Sequence, residues 1–268
     1  MNKLRYIFLA VAAIFIAASC VVEEQTVTVE YNVSSAVTKS TGNGESINYV
    51  WYALYDLDGR FVADFKLSPV VDGKANCPVT MVKGRSYNVV FVAQHYSPVS
   101  GKNVPAYPVN INEGRVYMPV QAKANTDTYD LFCGLDTVIE YDGKKPDKVM
   151  LQRVVAQVNV LAEQSDWDAA RSAGQLPDAS QITITGVPAA YDLISQQAVD
   201  SEVNVNYEKS SLTGTDLQLG TAYCFADECI SVSIGLYKDD SKTKEITVAE
   251  VDVEANRKTN ILWSTFVE

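Results

Sequence analysis

Residues 48–55 read NYVWYALY and residues 87–93 read YNVVFVA. Both are almost unbroken apolar runs, rich in aromatic and β-branched side chains and short enough for strands. Runs of this kind predict the central strands of a packed sandwich. Working outward, Val27, Val29, Tyr31 and Val33 alternate with Thr28, Glu30 and Asn32, which predicts a strand with one buried face. Shorter strands are expected at Phe61–Phe65, Ala75–Met81 and Arg115–Val120. The pairs Asp58-Gly59 and Asp72-Gly73 supply tight hairpin turns, and Lys83-Gly84-Arg85 stands ahead of YNVVFVA in the same way. Residues 127–134, DTYDLFCG, predict one helical turn stopped by the glycine.

Residues 142–147, DGKKPD, carry no apolar side chain and mark the expected domain boundary. That division gives an N-terminal sandwich over 25–142 and a C-terminal one over 147–268. The second half repeats the period of two. Val154, Ala156, Val158 and Val160 alternate with Gln157 and Asn159. Ile182 and Ile184, then Val203, Val205 and Tyr207, then Ile230, Val232, Ile234 and Leu236 follow the same rule. In Ile246–Val253 the apolar phase slips by one, which predicts a bulge or turn near Ala249-Glu250. Asn260–Val267 is the expected last strand, and only Ser165–Gly174 has helix punctuation. Strands never alternate with long helices, so Rossmann and α/β-barrel folds are excluded. The expectation is an all-β protein of two antiparallel sandwiches, each of about 120 residues, with one short helix.

The chain has 268 residues, 47% of them apolar, and a net charge of −11. Phosphate binding needs clustered cations, so a nucleic-acid partner is excluded. A single histidine removes most His-based acid–base and metal chemistry. His95 has no nucleophile motif nearby, and Asp239-Asp240 lies in a charged loop. Asp56, Asp58 and Asp64 around Gly59 hold part of a calcium-loop pattern without its terminal glutamate, and read as a solvated hairpin. No catalytic residue, metal ligand or non-covalent cofactor is expected.

Lys3 and Arg5 precede thirteen apolar residues, Tyr6–Ala18, fewer than the roughly 18–20 needed to span a bilayer. That is a signal-peptide pattern over 1–19, and Ala17-Ala18-Ser19-Cys20 resembles a bacterial lipobox. Cleavage is expected between Ser19 and Cys20, with acyl chains such as palmitate on Cys20. Each buried methylene contributes about 0.8 kcal/mol, so several chains on one residue hold a folded body to a membrane. Residues 20–24 then form a short stalk, and Glu23-Glu24 resembles an export signal for the outer face of the outer membrane. The other cysteines are Cys77, Cys133, Cys224 and Cys229. No C-x-x-C pairs them for zinc, and they read as small buried hydrophobes, with a Cys224–Cys229 disulfide, or one between Cys77 and Cys133, as the alternative.

The ordered set YVWYALYDLDGRFV, TYDLFCG, LQRVVAQVNVLA and NRKTNILWSTF resembles the fimbrillin superfamily, and within it the fimbrillin-like surface lipoproteins. The resemblance rests on that order, with Arg153 ahead of an Ala-x-Val-x-Val strand carrying most weight. It implies two tandem transthyretin-like sandwiches and a role in a pilus or adhesive structure, as anchor, accessory or tip. The activity implied is strand exchange or surface contact, with 25–33 and 260–267 as candidate exchange strands. Stalk relatives are cut after a basic residue that follows the first strand. Here Lys39 and Arg60 are the candidate cleavage residues, and Arg60 lies one hairpin too late. Expected partners are the outer membrane through the lipid, other fimbrial subunits, and a host or glycan surface. The long loop 94–114 holds Tyr96 and Tyr107 as candidate partner-binding residues, since tyrosine offers area at low entropy cost. A glycan-binding lipoprotein for nutrient capture is the alternative function.

Overall fold

A computed structural model describes residues 25–35, 47–64, 67–144, 148–213, 217–226 and 229–264. Ser19, Cys20 and the rest of the leader, and Lys39, lie outside the described residues. The described residues open with β1 (Thr26–Ser35), β2 (Tyr49–Tyr55), β3 (Phe61–Asp64), β4 (Ser68–Pro69), β5 (Lys74–Val82) and β6 (Tyr87–Gln94). A hairpin of β7 (Tyr96–Val99) and β8 (Lys102–Pro105) follows, then β9 (Val109–Asn110), β10 (Arg115–Tyr117) and β11 (Gln121–Lys123). After one 3-10 turn at Asp127–Tyr129 come β12 (Leu131–Val138) and β13 (Val149–Arg153). The rest comprises β14 (Val155–Ala162), α1 (Gln164–Ser172), β15 (Ala179–Asp192), β16 (Gln197–Glu208), β17 (Ser210–Ser211), β18 (Gln218–Phe225), β19 (Cys229–Lys238), β20 (Ser241–Asp252) and β21 (Lys258–Trp263).

The first sheet runs β3-β2-β6-β12-β13-β1-β5, with β4 on β2. It folds over on itself, so that Val29, Tyr31 and Val33 of β1 and Cys77, Val79 and Met81 of β5 share a core with Tyr52, Leu54 and Phe91. In the second half, β11, β16, β15, β19 and β20 form one layer, with β10 and β9 added to β15. The facing layer is the three-stranded sheet β18-β14-β21.

The unbroken apolar runs have a specific cause. On β2, Val50, Tyr52 and Leu54 enter the first core, while Trp51, Ala53 and Tyr55 enter the second. On β6, Val89 and Phe91 face one way and Val90 and Val92 the other. On β12, Phe132 joins the first core, and Leu131 and Cys133 the second. The pleat sends alternate residues to opposite faces, and here both faces are inside. These three strands are a wall common to two cores. At about 1.5–3 kcal/mol per fully buried large apolar side chain, the wall contributes to both.

The pairing therefore does not part at 142–147. β13 follows that stretch yet pairs with β12 and, in parallel, with β1 at Val33 opposite Val149. β10 and β11 precede it yet pair with β15 and β16. A polar run with breakers marks any surface connection between strands, and its composition does not distinguish a linker between domains from a loop within one.

Several local expectations are met and two are corrected. The phase slip in β20 is a register shift opposite Ile230 and Val232, with Glu250 at a φ of 55°. The helix buries Trp167 and Ala170 and is followed by Gly174 at a φ of 67°, although Glu163 makes no side-chain cap. Asp72 and Gly73 both take positive φ in the tight turn before β5. The helical turn in DTYDLFCG, however, ends at Asp130, and Leu131 already begins a strand. Gly134 lies inside that strand, where a Cβ would meet Leu151 Cδ2 at 2.6 Å, so it serves close packing and stops nothing. The four described cysteines are free thiols, three of them buried, while Cys229 is exposed at the start of β19.

Candidate functional site

Loop 94–114 does not offer its tyrosines outward. Tyr96 packs edge-on against Tyr49 and is buried, its amide bonded to Asn48 Oδ1 at 2.8 Å. Tyr107 is fully buried, and its hydroxyl donates to the Tyr129 carbonyl at 2.7 Å. Its backbone bonds to both ends of the buried Gln94 amide, at 2.7 and 3.2 Å. Burial pushes both phenols above their ordinary range. The two candidate contact residues are thus core, because a buried strand crossover needs large side chains as much as a paratope does. The loop's exposed part is instead the turn between β7 and β8, flanked by Val99 and Val104.

Arg60 is exposed in the turn between β2 and β3, with Asp58 Oδ2 at 3.1 Å and its amide on Asp56 Oδ1 at 2.8 Å. A cut after Arg60 would separate β1 and β2 together from the rest. Every residue of β2 after Tyr49 is buried, in one core or the other. Asp56 and Asp58 of the partial calcium pattern lie in this turn beside Arg60, and among the described residues no group of three or more acidic, histidine or cysteine side chains is placed to hold a metal ion.

Two polar clusters interrupt the apolar interior, and both flank the junction of β13 and β14. In the first, Arg153 and Asp130 have fully buried side chains. Arg153 Nε and Nη2 donate to the two Asp130 oxygens at 2.6 and 2.7 Å. The guanidinium stacks 4.8 Å from the Phe132 ring centre, and Asn256 Oδ1 lies 3.4 Å from Nη1. Burial pushes the Asp130 carboxyl up, and the Arg153 bonds pull against that rise. The arginine of LQRVVAQVNV and the aspartate of TYDLFCG are therefore partners, clamping the start of β12 to the end of β13.

The second cluster is the outer face of the β18-β14-β21 sheet. Register places Tyr223, Gln157 and Lys258 in one cross-strand row, and Thr221, Asn159 and Asn260 in the next. Thr221 Oγ1 donates to Asn159 Oδ1, and Asn159 Nδ2 donates to Asn260 Oδ1, both at 2.8 Å. Gln157 Nε2 reaches Asn159 Oδ1 at 3.1 Å, and Gln218 Nε2 reaches Thr221 Oγ1 at 2.6 Å. The Asn125–Asp127 segment closes one side: Asn125 Oδ1 accepts from the Thr221 amide at 2.8 Å, and Tyr223 donates to Asp127 Oδ1 at 2.7 Å. Between these walls lies a trough of about 460 Å³. In the sequence Gln157 and Asn159 stand only as the polar half of an alternation. The signal overlooked was three such amides and a threonine on neighbouring strands.

A family model described as "Family of unknown function (DUF6562)" matches residues 19–263. The chain belongs to that family. No curated protein matches this DUF6562 chain. Among solved structures, it resembles one from Bacteroides thetaiotaomicron provisionally named polysaccharide binding proteins (DUF1812). That match has 9% identity and a TM-score of 0.55, covering 88% of this chain and 90% of the other. A fimbrial assembly protein from Parabacteroides distasonis is 13% identical with a TM-score of 0.49, covering 90% and 92%. A Bacteroides thetaiotaomicron protein provisionally named an adhesin is 11% identical with a TM-score of 0.45, covering 83% and 80%. The all-β sandwich expected from the sequence agrees with the 0.55 match as a likeness of fold.

Proposed function

We propose that this DUF6562 protein is a non-catalytic surface lipoprotein, held at the outer membrane through Cys20, that acts in an adhesive or pilus-like structure. Its place there is that of an anchor, accessory or tip subunit. The support for this reading is the ordered set of motifs that resembles the fimbrillin-like surface lipoproteins.

The observation that carries the finer reading is the setting of β1. It is an interior strand, paired with β5 from Thr26 to Ser34 but with β13 at only three positions. Its Tyr31 ring lies 5.1 Å from Phe91 across the core, and the hydroxyl donates to Asp136 Oδ2 at 2.9 Å. Taking such a strand away would open a groove with unpaired edges on both sides, the arrangement that strand addition fills. Among the described residues, Arg60 is the first arginine after β1, and a cut there would remove β2 as well. A subunit that keeps β1 keeps its groove filled, and ends or anchors an assembly instead of relaying it. The last described strand, β21, is paired on one edge only among the described residues and alternates exposed with half-buried side chains, so it is one of the edges open to a partner strand.

Limited surface proteolysis of intact cells with mass spectrometry tests this. The expected result is release of peptides from the folded body, with chains that still begin at Cys20. Chains beginning at Phe61 or just after Lys39 would overturn the anchor reading. A Cys20→Ala variant that still partitions with outer membranes would overturn the lipid tether.

A further inference from the structure

The amide trough on the outer face of β18-β14-β21 has the features of a built site. Gln157, Asn159 and Thr221 are buried polar residues whose side chains fix one another, so they hold one geometry before any ligand arrives. The ladder does not use all of its hydrogen-bonding capacity. Asn260 Nδ2, Asn125 Nδ2, Gln218 Oε1 and Lys258 Nζ have no partner among the described residues. A carboxamide presents a donor and an acceptor side by side, and a row of them suits a ligand whose groups both donate and accept.

Charge and shape narrow the class. The lining has one carboxylate, Asp127, and one ammonium, Lys258, so neither an anion nor a cation is favoured. Leu161 lines the trough, and Leu262 follows on the same cross-strand row with 66% of its surface exposed. That end offers an apolar face next to the amides. A second hollow of about 450 Å³, lined by Ser211, Leu212, Thr213 and Leu217, shares Asn125 and Gln218 with the first. Each hollow falls in the range of small-ligand sites, roughly 300–1,000 Å³.

We propose that this trough is a binding site for an uncharged saccharide of more than one ring. Hydroxyls meet the Asn125, Asn260 and Gln218 amides, and a C–H face of one ring rests on Leu161 and Leu262. No aromatic ring lines the trough to stack on the sugar, so single-site affinity is weak, with a Kd on the order of 1 mM. The inference rests on neither strand exchange nor the lipid tether. Chain released by Cys20→Ala keeps the trough, so the two readings fail separately.

The test is amide-detected NMR on the soluble full-length body, titrated with maltohexaose, xylohexaose, mannohexaose and chitohexaose. At least one sugar should shift the side-chain amide signals of Asn125, Gln218 and Asn260 together. Asn260→Ala and Gln218→Ala, both at exposed positions, should each weaken that binding by about tenfold with melting unchanged. No shift at about 10 mM of any of the four, shifts confined to another face, or full binding by both variants would overturn the proposal. If both variants melt low, the side-chain shifts of the native chain decide alone.

Discussion

Two polar clusters on consecutive strands, β13 and β14, use burial in opposite ways. Asp130 and Arg153 are charged, bidentate and sealed from water on every side. Gln157, Asn159 and Thr221 are neutral, linked in a ladder, and open along one side into a trough. A buried charge pair is costly to desolvate and is held only where its geometry is over-determined, which suits a clamp between strands. A neutral ladder costs less to keep at a surface and can exchange partners with a ligand. The clamp ties β12 to β13 within the first sheet, and the ladder lies on the outer face of the β18-β14-β21 sheet. One cluster joins neighbouring strands of the interior, and the other faces outward.

The largest effect expected from breaking that contrast is at the clamp. Arg153→Met leaves Asp130 buried beside Phe132 with no cation, and should cost about 3–5 kcal/mol of stability. Pairing it with Asp130→Asn removes the orphaned charge and should return a large part of that loss. Chemical denaturation of the single and double variants checks this, and equal losses in both would mean that the pair is not coupled. Replacing Asn159 by leucine in the ladder should cost far less, since its neighbours can turn to water in the trough.

Packing at the common wall gives the next effect. Gly134→Ala puts a methyl 2.6 Å from Leu151 Cδ2, where β12 and β13 meet. Overpacking of this kind costs typically about 1–3 kcal/mol. A companion change, Leu151→Ala, should rescue part of the loss if the clash is the cause, and thermal melting of the two variants would show it.

This glycine also shows what was legible in the sequence and what was not. The strands of β2 and β6 were plain from their apolar runs, and the β20 bulge was plain from one phase slip. Those are local signals, carried by neighbours in the chain. The sharing of β2 between two cores was already encoded in the run, because only a strand covered on both sides can be apolar at every position. Which second layer covered it depends on β10 and β11 crossing to β15 and β16, and that pairing leaves no mark within either segment. Tyr107 was misplaced for the same reason. A tyrosine in a proline-rich loop has one composition whether it faces solvent or donates to the carbonyl of Tyr129 in the core. Asp130 and Arg153 stood out as parts of motifs, but nothing in either segment disclosed that they were partners. The trough was the least legible, since its row of Thr221, Asn159 and Asn260 draws one residue from each of three distant strands.

A third prediction separates sealed from open groups by pH. Burial pushes the Tyr52 phenol up to about 12, and raises Tyr31, Tyr107, Tyr207 and Tyr223 further. An unfolded tyrosine ionises near 10. The folded state binds these protons more tightly than the unfolded state does. Their contribution is therefore intact below about pH 10 and is lost as pH rises towards the folded values. Stability should fall steeply above that point, with tyrosinate absorbance appearing together with loss of the fold. Ionisation of most tyrosines while the sheet signal persists would show that the phenols are more open than their packing implies.

The smallest effect concerns thiols, and it sharpens the contrast without disturbing either cluster. Burial pushes Cys77 and Cys224 up to about 12 and Cys133 higher still, so few of these groups are thiolates at neutral pH and reagents do not reach them. Cys229 is exposed, with Sγ 3.0 Å from Asp252 Oδ1 on the neighbouring strand. In folded chain carrying Cys20→Ala, a maleimide should label Cys229 alone, and all four thiols should react after denaturation. Labelling should leave melting nearly unchanged, because the side chain points away from both cores. Rapid modification of Cys133 would count most heavily against the shared wall. That thiol lies on β12 against the second core, and a reagent could reach it only if the two halves part.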